Sequence, residues 1–484
     1  MLKFNLKKTT KNRNLRIEQF DIVKPSNSFL LYLILSLFLF YFLLFMLSNK
    51  TSPEINLVFS SVTGILTVYF LSYFGLKKIL GNKAIKILVV AFIVRLVVGI
   101  VHYVMFIQPD YFINPLTLNY YPDYDYNHNQ LIYISNIWHQ YGFLSPMPDT
   151  YFINNKNPLI LQFMALVYYF AGGFALNLAV WNSLMNSYSA AIISMITYYN
   201  TNSRKYAIIA LTFAAFQPFG FISSIVWRDS TGLFIVALAA FLLINYRKNL
   251  VLGLILLPIA GFLASWHRSP YYFLIAILYY FIIKQERKLS FWIMSLMSLT
   301  IIPFIVMIYQ SFTGLFLAVV DIGVTRGDSI GQTDNYLTLL KPKLIFEVPI
   351  RIIKAVIGAF PWAQFLKKVD GYEYQPLDYL TSVFSLAVYF MLFPHVVKKW
   401  KIKKEIDYSL FFGILIMILG MLAFNVHVAY IAIGFIFLVP EFATIYSKEK
   451  FIDSLLISFY FFVLLHFVFY AFRLSGKSVF GLAD

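Results

Sequence analysis

Cysteine is absent from this 484-residue chain, which excludes disulfides, thiol nucleophiles and every cysteine-ligated metal or iron–sulfur site. Charge is scarce as well. Only 13% of the residues are Asp, Glu, Lys or Arg against 60% hydrophobic, and the mean hydropathy of +0.73 excludes an ordinary soluble domain. There is no Gly-rich phosphate loop, no Ser/His/Asp order, no His-x-x-x-His spacing and no internal repeat. One absence is local. From Pro109 to Asn155 there is no Lys or Arg, although Asp110, Asp123, Asp125 and Asp149 all lie there.

What the chain does have is apolar length. Hydrophobic runs recur from end to end, each of the roughly 17–25 residues a helix needs to cross a bilayer core. Expected spans are 28–48, 54–76, 84–108, 174–199, 205–226, 229–245, 249–266, 269–284, 290–310, 376–397, 408–424, 427–446 and 451–472. The expected fold class is therefore all-α: a polytopic integral membrane protein with about 13 transmembrane helices and further helices lying on its outer face. Residues 1–484 read as one transmembrane domain.

Charge placement orients it. Basic residues cluster in short connections: Lys77, Lys78 and Lys83; Arg204 and Lys205; Arg247 and Lys248; Lys284, Arg287 and Lys288; the run Lys398–Lys404; and Lys448 with Lys450. The positive-inside rule puts these in the cytoplasm together with the basic N-terminus. They agree only if 157–200 crosses once, so the Pro-started 158–172 is expected to be a juxtamembrane or re-entrant helix. No small-residue cleavage site precedes the first span, so no cleavable leader is expected. The net charge of +17 fits anionic headgroups, since its cations sit in those loops; nucleic acid is not an expected partner.

By the same rule the loop 109–156, which has no Lys or Arg until Lys156, lies outside. A second long segment, 311–375, shares that face and contains Arg351 in Pro349-Ile350-Arg351-Ile352-Ile353-Lys354, the start of an amphipathic helix. Within the first loop, Leu131, Ile134, Trp138 and Tyr141 form one apolar helical face just after Asp123, Asp125 and His128. A carboxylate at such a helix, in an apolar surround that strengthens it as a base, can take a proton from a hydroxyl. Alternatively Asp125 simply caps the 126–140 helix. A divalent metal between Asp123, Asp125 and His128 is a further alternative; otherwise no cofactor is expected. Arg95, mid-span, is expensive at that depth and is either functional or paired with a carboxylate.

At these residues the sequence resembles a family. Asp125 (or Asp123), an interfacial helix, Tyr141-Gly142 and Asn157-Pro158-Leu159 resemble the first outer loop of GT-C glycosyltransferases of the protein-mannosyltransferase and aminoarabinose-transferase type. Gln217-Pro218 and Arg228-Asp229 extend the likeness, which covers roughly 84–245. The family often carries a doubled proline where this chain has Asn157-Pro158, and an acidic pair where it has Asp125-Tyr126. The resemblance implies a sugar transferred from a polyprenyl-phosphate donor to a glycan or lipid acceptor on the outer face, with inversion. Asp125 or Asp123 then acts as base. Arg228, Arg268 and Arg351 receive the phosphate, helped by Asp229, His267, Lys156 and His128, with membrane lipids around them. Two other functions fit a polytopic chain: a polysaccharide repeat-unit polymerase relying on the arginines rather than Asp125, and a transporter of lipid-linked sugars.

Overall fold

A computed structural model describes residues 25–47, 52–104, 122–148, 158–217, 228–267, 271–287, 407–423 and 433–446, with backbone alone for 25–27, 47, 122–126, 158, 286–287, 417–423 and 446. Among them the chain is all-helical, without a strand. The helices are α1 (Pro25–Leu47), α2 (Pro53–Leu80), α3 (Asn82–His102), α4 (Pro122–Tyr141), α5 (Pro158–Ala171), α6 (Ala175–Thr201) and α7 (Arg204–Phe216). There follow α8 (Asp229–Asn245), α9 (Leu250–Ser265), α10 (Tyr271–Arg287), α11 (Tyr408–Ala423) and α12 (Val439–Tyr446). Three of these, α1, α2 and α3, are long and apolar enough to cross a membrane. The expected spans 290–310, 376–397 and 451–472, most of 427–446, and the segment 311–375 lie outside the described residues.

Local signals explain the boundaries. Pro25, Pro53, Pro122 and Pro158 each open a helix, where a missing N–H leaves no hydrogen bond unmade. Asn202 ends α6 in the left-handed conformation, and the Ser203 hydroxyl accepts the Tyr206 N–H at 3.4 Å to begin α7. Gly81, at φ +78°, turns α2 into α3 where the Arg204 side chain packs against it, a place with neither the backbone angle nor the room for a Cβ.

The core is organised around α6. Every residue from Ala175 to Thr197 is buried, with α2, α3, α5, α7, α8 and α12 packed round it. Helices α1 to α3 instead leave apolar stripes exposed, such as Phe38, Phe42 and Phe45 on α1 and Val90, Val97 and Val101 on α3. Although enclosed, α6 is dotted with polar side chains, and buried polar groups need partners. Several have them. Asn177 accepts the Ser60 hydroxyl at 3.0 Å, the Trp181 indole donates to Thr231 at 2.9 Å, Asn186 donates to Ser230 at 2.9 Å, and Tyr188 donates to Ser36 at 2.7 Å. A neutral buried hydrogen bond contributes about 0.5–1.5 kcal/mol net, but leaving one unmade costs more, so these contacts fix how the neighbours sit.

Contacts sort the helix ends into two groups. Arg204 Nε donates to the Leu80 carbonyl at 2.8 Å, Asn200 donates to Asp407 at 3.0 Å, and the Arg247 guanidinium lies 5.8 Å over the Tyr408 ring. The basic turns 77–83, 204–205 and 247–248 therefore share one end. At the other, Asn56 donates to the Ala171 carbonyl at 2.5 Å, joining the start of α2 to the α5–α6 turn. Helix α6 thus runs once from one end of the bundle to the other, and the C-terminus of α5 lies at the second.

Two expectations need correcting. The span expected over 205–226 is interrupted after Phe216, because Pro218 drives Gln217 into an extended conformation (φ −60°, ψ 138°), and its remainder, 218–226, lies outside the described residues. Helix α4 begins at Pro122, not after Asp125, so Asp123 and Asp125 occupy the second and fourth positions of its first turn. The capping role considered for Asp125 does not apply there, since a cap residue precedes the helix.

Candidate functional site

Among the described residues, helix lengths leave a step inside the bundle. From the basic end α7 runs about 20 Å and α8 about 25 Å, whereas α6 continues to about 40 Å. Asn186, midway along α6, meets Ser230 in the first turn of α8, which fixes the level of the step. Helix α5 lies over it: Phe163 packs edge-on against Trp181 at 5.3 Å and Trp266 at 6.4 Å between ring centroids.

The N-terminus of α8 brings the expected residues Arg228, Asp229 and His267 together. Arg228 is the residue before the helix and Asp229 its first, where the helix's positive end favours a carboxylate. His267 follows α9 and is fully buried, its Nε2 lying 3.9 Å from Asp229 Oδ1. That distance is too long for a hydrogen bond but suits an ion pair once the imidazole is protonated. The ring also fills the space over Gly232, where any Cβ would overlap it, and packs on Tyr271 at 5.4 Å. A cation, a carboxylate and an imidazole thus converge on one helix start, the kind of place where an anionic ligand is stabilised.

His128 is buried on α4, and its Nδ1 is 2.6 Å from the Tyr168 hydroxyl of α5. Further along α4, His139 stacks on Tyr169 at 4.4 Å, and the Trp138 indole donates to the Ser145 carbonyl at 3.2 Å. The apolar face Leu131, Ile134 and Trp138 is buried as its spacing requires. Tyr141, expected on that face, is exposed at the helix end. The backbone of Asp123 and Asp125 belongs to the first turn of this same helix. Lys156, Arg268 and Arg351 lie outside the described residues.

Arg95 is fully buried and does what the sequence did not suggest. Its Nε donates to the Ala215 carbonyl at 2.7 Å and its Nη2 to the Ala214 carbonyl at 3.2 Å, at the C-terminus of α7. Those carbonyls have no helical donor above them, and a guanidinium at the negative end of a helix supplies two donors at once. Asn182 and Asn186, one turn apart in a span otherwise read only for hydropathy, are the signal that pointed to a polar interior.

The sequence and structure match no family model, no curated protein and no solved structure.

Proposed function

We propose that the protein is a multi-pass cell-membrane glycosyltransferase of the cell envelope, with about 13 spans and a cytoplasmic N-terminus. It moves a sugar from a polyprenyl-phosphate donor to a glycan or lipid acceptor at the end of the bundle opposite the basic turns. The observation that supports this reading best is the meeting of Arg228, Asp229 and His267 at the α8 start. It lies at the end where α4, which carries Asp123 and Asp125, packs on α5. In this reading Asp125 takes the proton from the acceptor hydroxyl as that oxygen bonds to the anomeric carbon. The bond from that carbon to the phosphate oxygen breaks on the opposite side, its electron pair stays with the phosphate, and the centre inverts. Arg228, with Arg268 and Arg351, neutralises the departing phosphate; His267 and Asp229 hold the α8 end in place.

The test is turnover of a synthetic polyprenyl-phosphate sugar by the purified full-length chain. Asp125→Asn lowers turnover by about 10²–10⁴-fold with donor binding kept, the usual contribution of a general base. Arg228→Lys also slows it, because an ammonium cannot grip a phosphate with two parallel bonds. Unchanged turnover in Asp125→Asn with loss only in Arg228→Lys would overturn the assignment in favour of a repeat-unit polymerase.

A further inference from the structure

Where α7 breaks off, the interior holds two side chains that the proposed transfer does not use. Gln217, directly after the last helical residue, is 1% exposed, and neither its amide oxygen nor its nitrogen has a hydrogen-bond partner among the described residues. Ser183 on α6 is wholly buried, and its hydroxyl is likewise unpartnered among them.

The α6–α7 hairpin brings the two to one level. Ser194 of α6 donates to the Ala207 carbonyl of α7 at 2.8 Å, which sets the antiparallel register. Ser183 stands eleven residues back along α6, about three full turns, and so on the face that meets α7. Gln217 stands ten residues on from Ala207, at close to the same height. Asn186, one turn from Ser183, is bonded to Ser230 beside Asp229, so this interior pair is continuous with the α8 start.

We propose that Gln217 and Ser183 form a neutral subsite that takes hydroxyl groups of the sugar on the lipid-linked donor. It rests on the function proposed above. Donor and acceptor character selects the ligand class. An amide and a hydroxyl each give and receive hydrogen bonds, and a sugar hydroxyl does both in return. A phosphate or halide uses donors only, and a metal cation is repelled by Arg95, which is bonded to the same end of α7. Burying such groups without partners is costly, and a ligand that completes them is how a polar site rejects analogues lacking the hydroxyl.

The experiment measures binding of ten-carbon prenyl phosphates carrying glucose, mannose, galactose or no sugar to the full chain in nanodiscs. Ser183→Ala and Gln217→Met each weaken the best sugar-bearing probe by roughly 3- to 10-fold, the value of one neutral hydrogen bond. They leave the sugar-free probe unchanged, and the thermal midpoint does not fall, because neither side chain loses a protein partner. Equal binding of every probe by variant and wild type overturns the subsite and leaves an ordered water only between the two groups. So does a parallel loss of thermal stability and of both kinds of probe, which marks the pair as structural. If the wild type binds no probe, the lipid-linked donor itself is wrong and the subsite falls with it. Binding by the wild type without an effect of either substitution removes the subsite alone.

Discussion

At one end of the bundle, cations sit in tight turns and spend their charge on backbone carbonyls and an aromatic face, as Arg204 does on Leu80 and Arg247 on Tyr408. At the other end α7 and α8 stop short, and asparagines, serines, an aspartate and a histidine fill the level they leave. The first arrangement joins helices through their turns. The second puts hydrogen-bonding groups deep among apolar helices, where they are expensive unless used. The two ends differ in how deeply their polar groups are buried rather than in charge count.

The largest effect that tests this contrast is all-or-none. In this cysteine-free chain, Asn129→Cys, exposed on α4, reacts with an impermeant maleimide in intact cells, while Lys248→Cys reacts only after lysis. Labelling in the reverse order, or equally at both, ends the distinction between the two faces. Next in size is Arg95. Arg95→Met leaves two buried carbonyls of α7 without their donor and lowers the unfolding free energy in detergent by about 2–4 kcal/mol, at the usual cost of an unmade buried bond. Arg95→Lys falls between, since one ammonium does not reproduce a two-pronged guanidinium. The smallest effect belongs to the basic end. Arg204→Ala removes one partly buried bond to Leu80 and costs about 0.5–1.5 kcal/mol. A loss as large as that of Arg95→Met would make the basic end as specialised as the other.

Much of the architecture was legible in the chain. Pro158 and the Ala171-Gly172-Gly173 turn bound the short α5 and the long α6. Hydropathy marked α1 to α3, which face outward and need no partner to be apolar. What escaped was tertiary. The break at Phe216 was written in Gln217-Pro218, but an apolar run continues through it, and hydropathy does not register such a break. The start of α4 at Pro122 was hidden by tyrosines and aspartates that are weak helix formers. Among the described residues Arg95 bonds a pair of backbone carbonyls, which no search for carboxylates finds. Arg228 and Asp229 were visible as neighbours in sequence. His267 joins them only because α8 and α9 form a hairpin, with Gly232 giving the ring room.

The burial of α6 bears on how the protein is made. During synthesis α1, α2 and α3 leave the ribosome with enough apolar surface to enter the membrane on their own. Helix α6 follows with Asn177, Asn182 and Asn186 in its first half, and the partners of Trp181 and Asn186 belong to α8, some fifty residues later in the chain. Until α8 has been translated, the Trp181 indole and the Asn186 amide lack the Thr231 and Ser230 hydroxyls they bond in the folded chain. The central helix thus cannot complete its polar contacts alone, and assembly of the bundle waits on a segment that has yet to emerge.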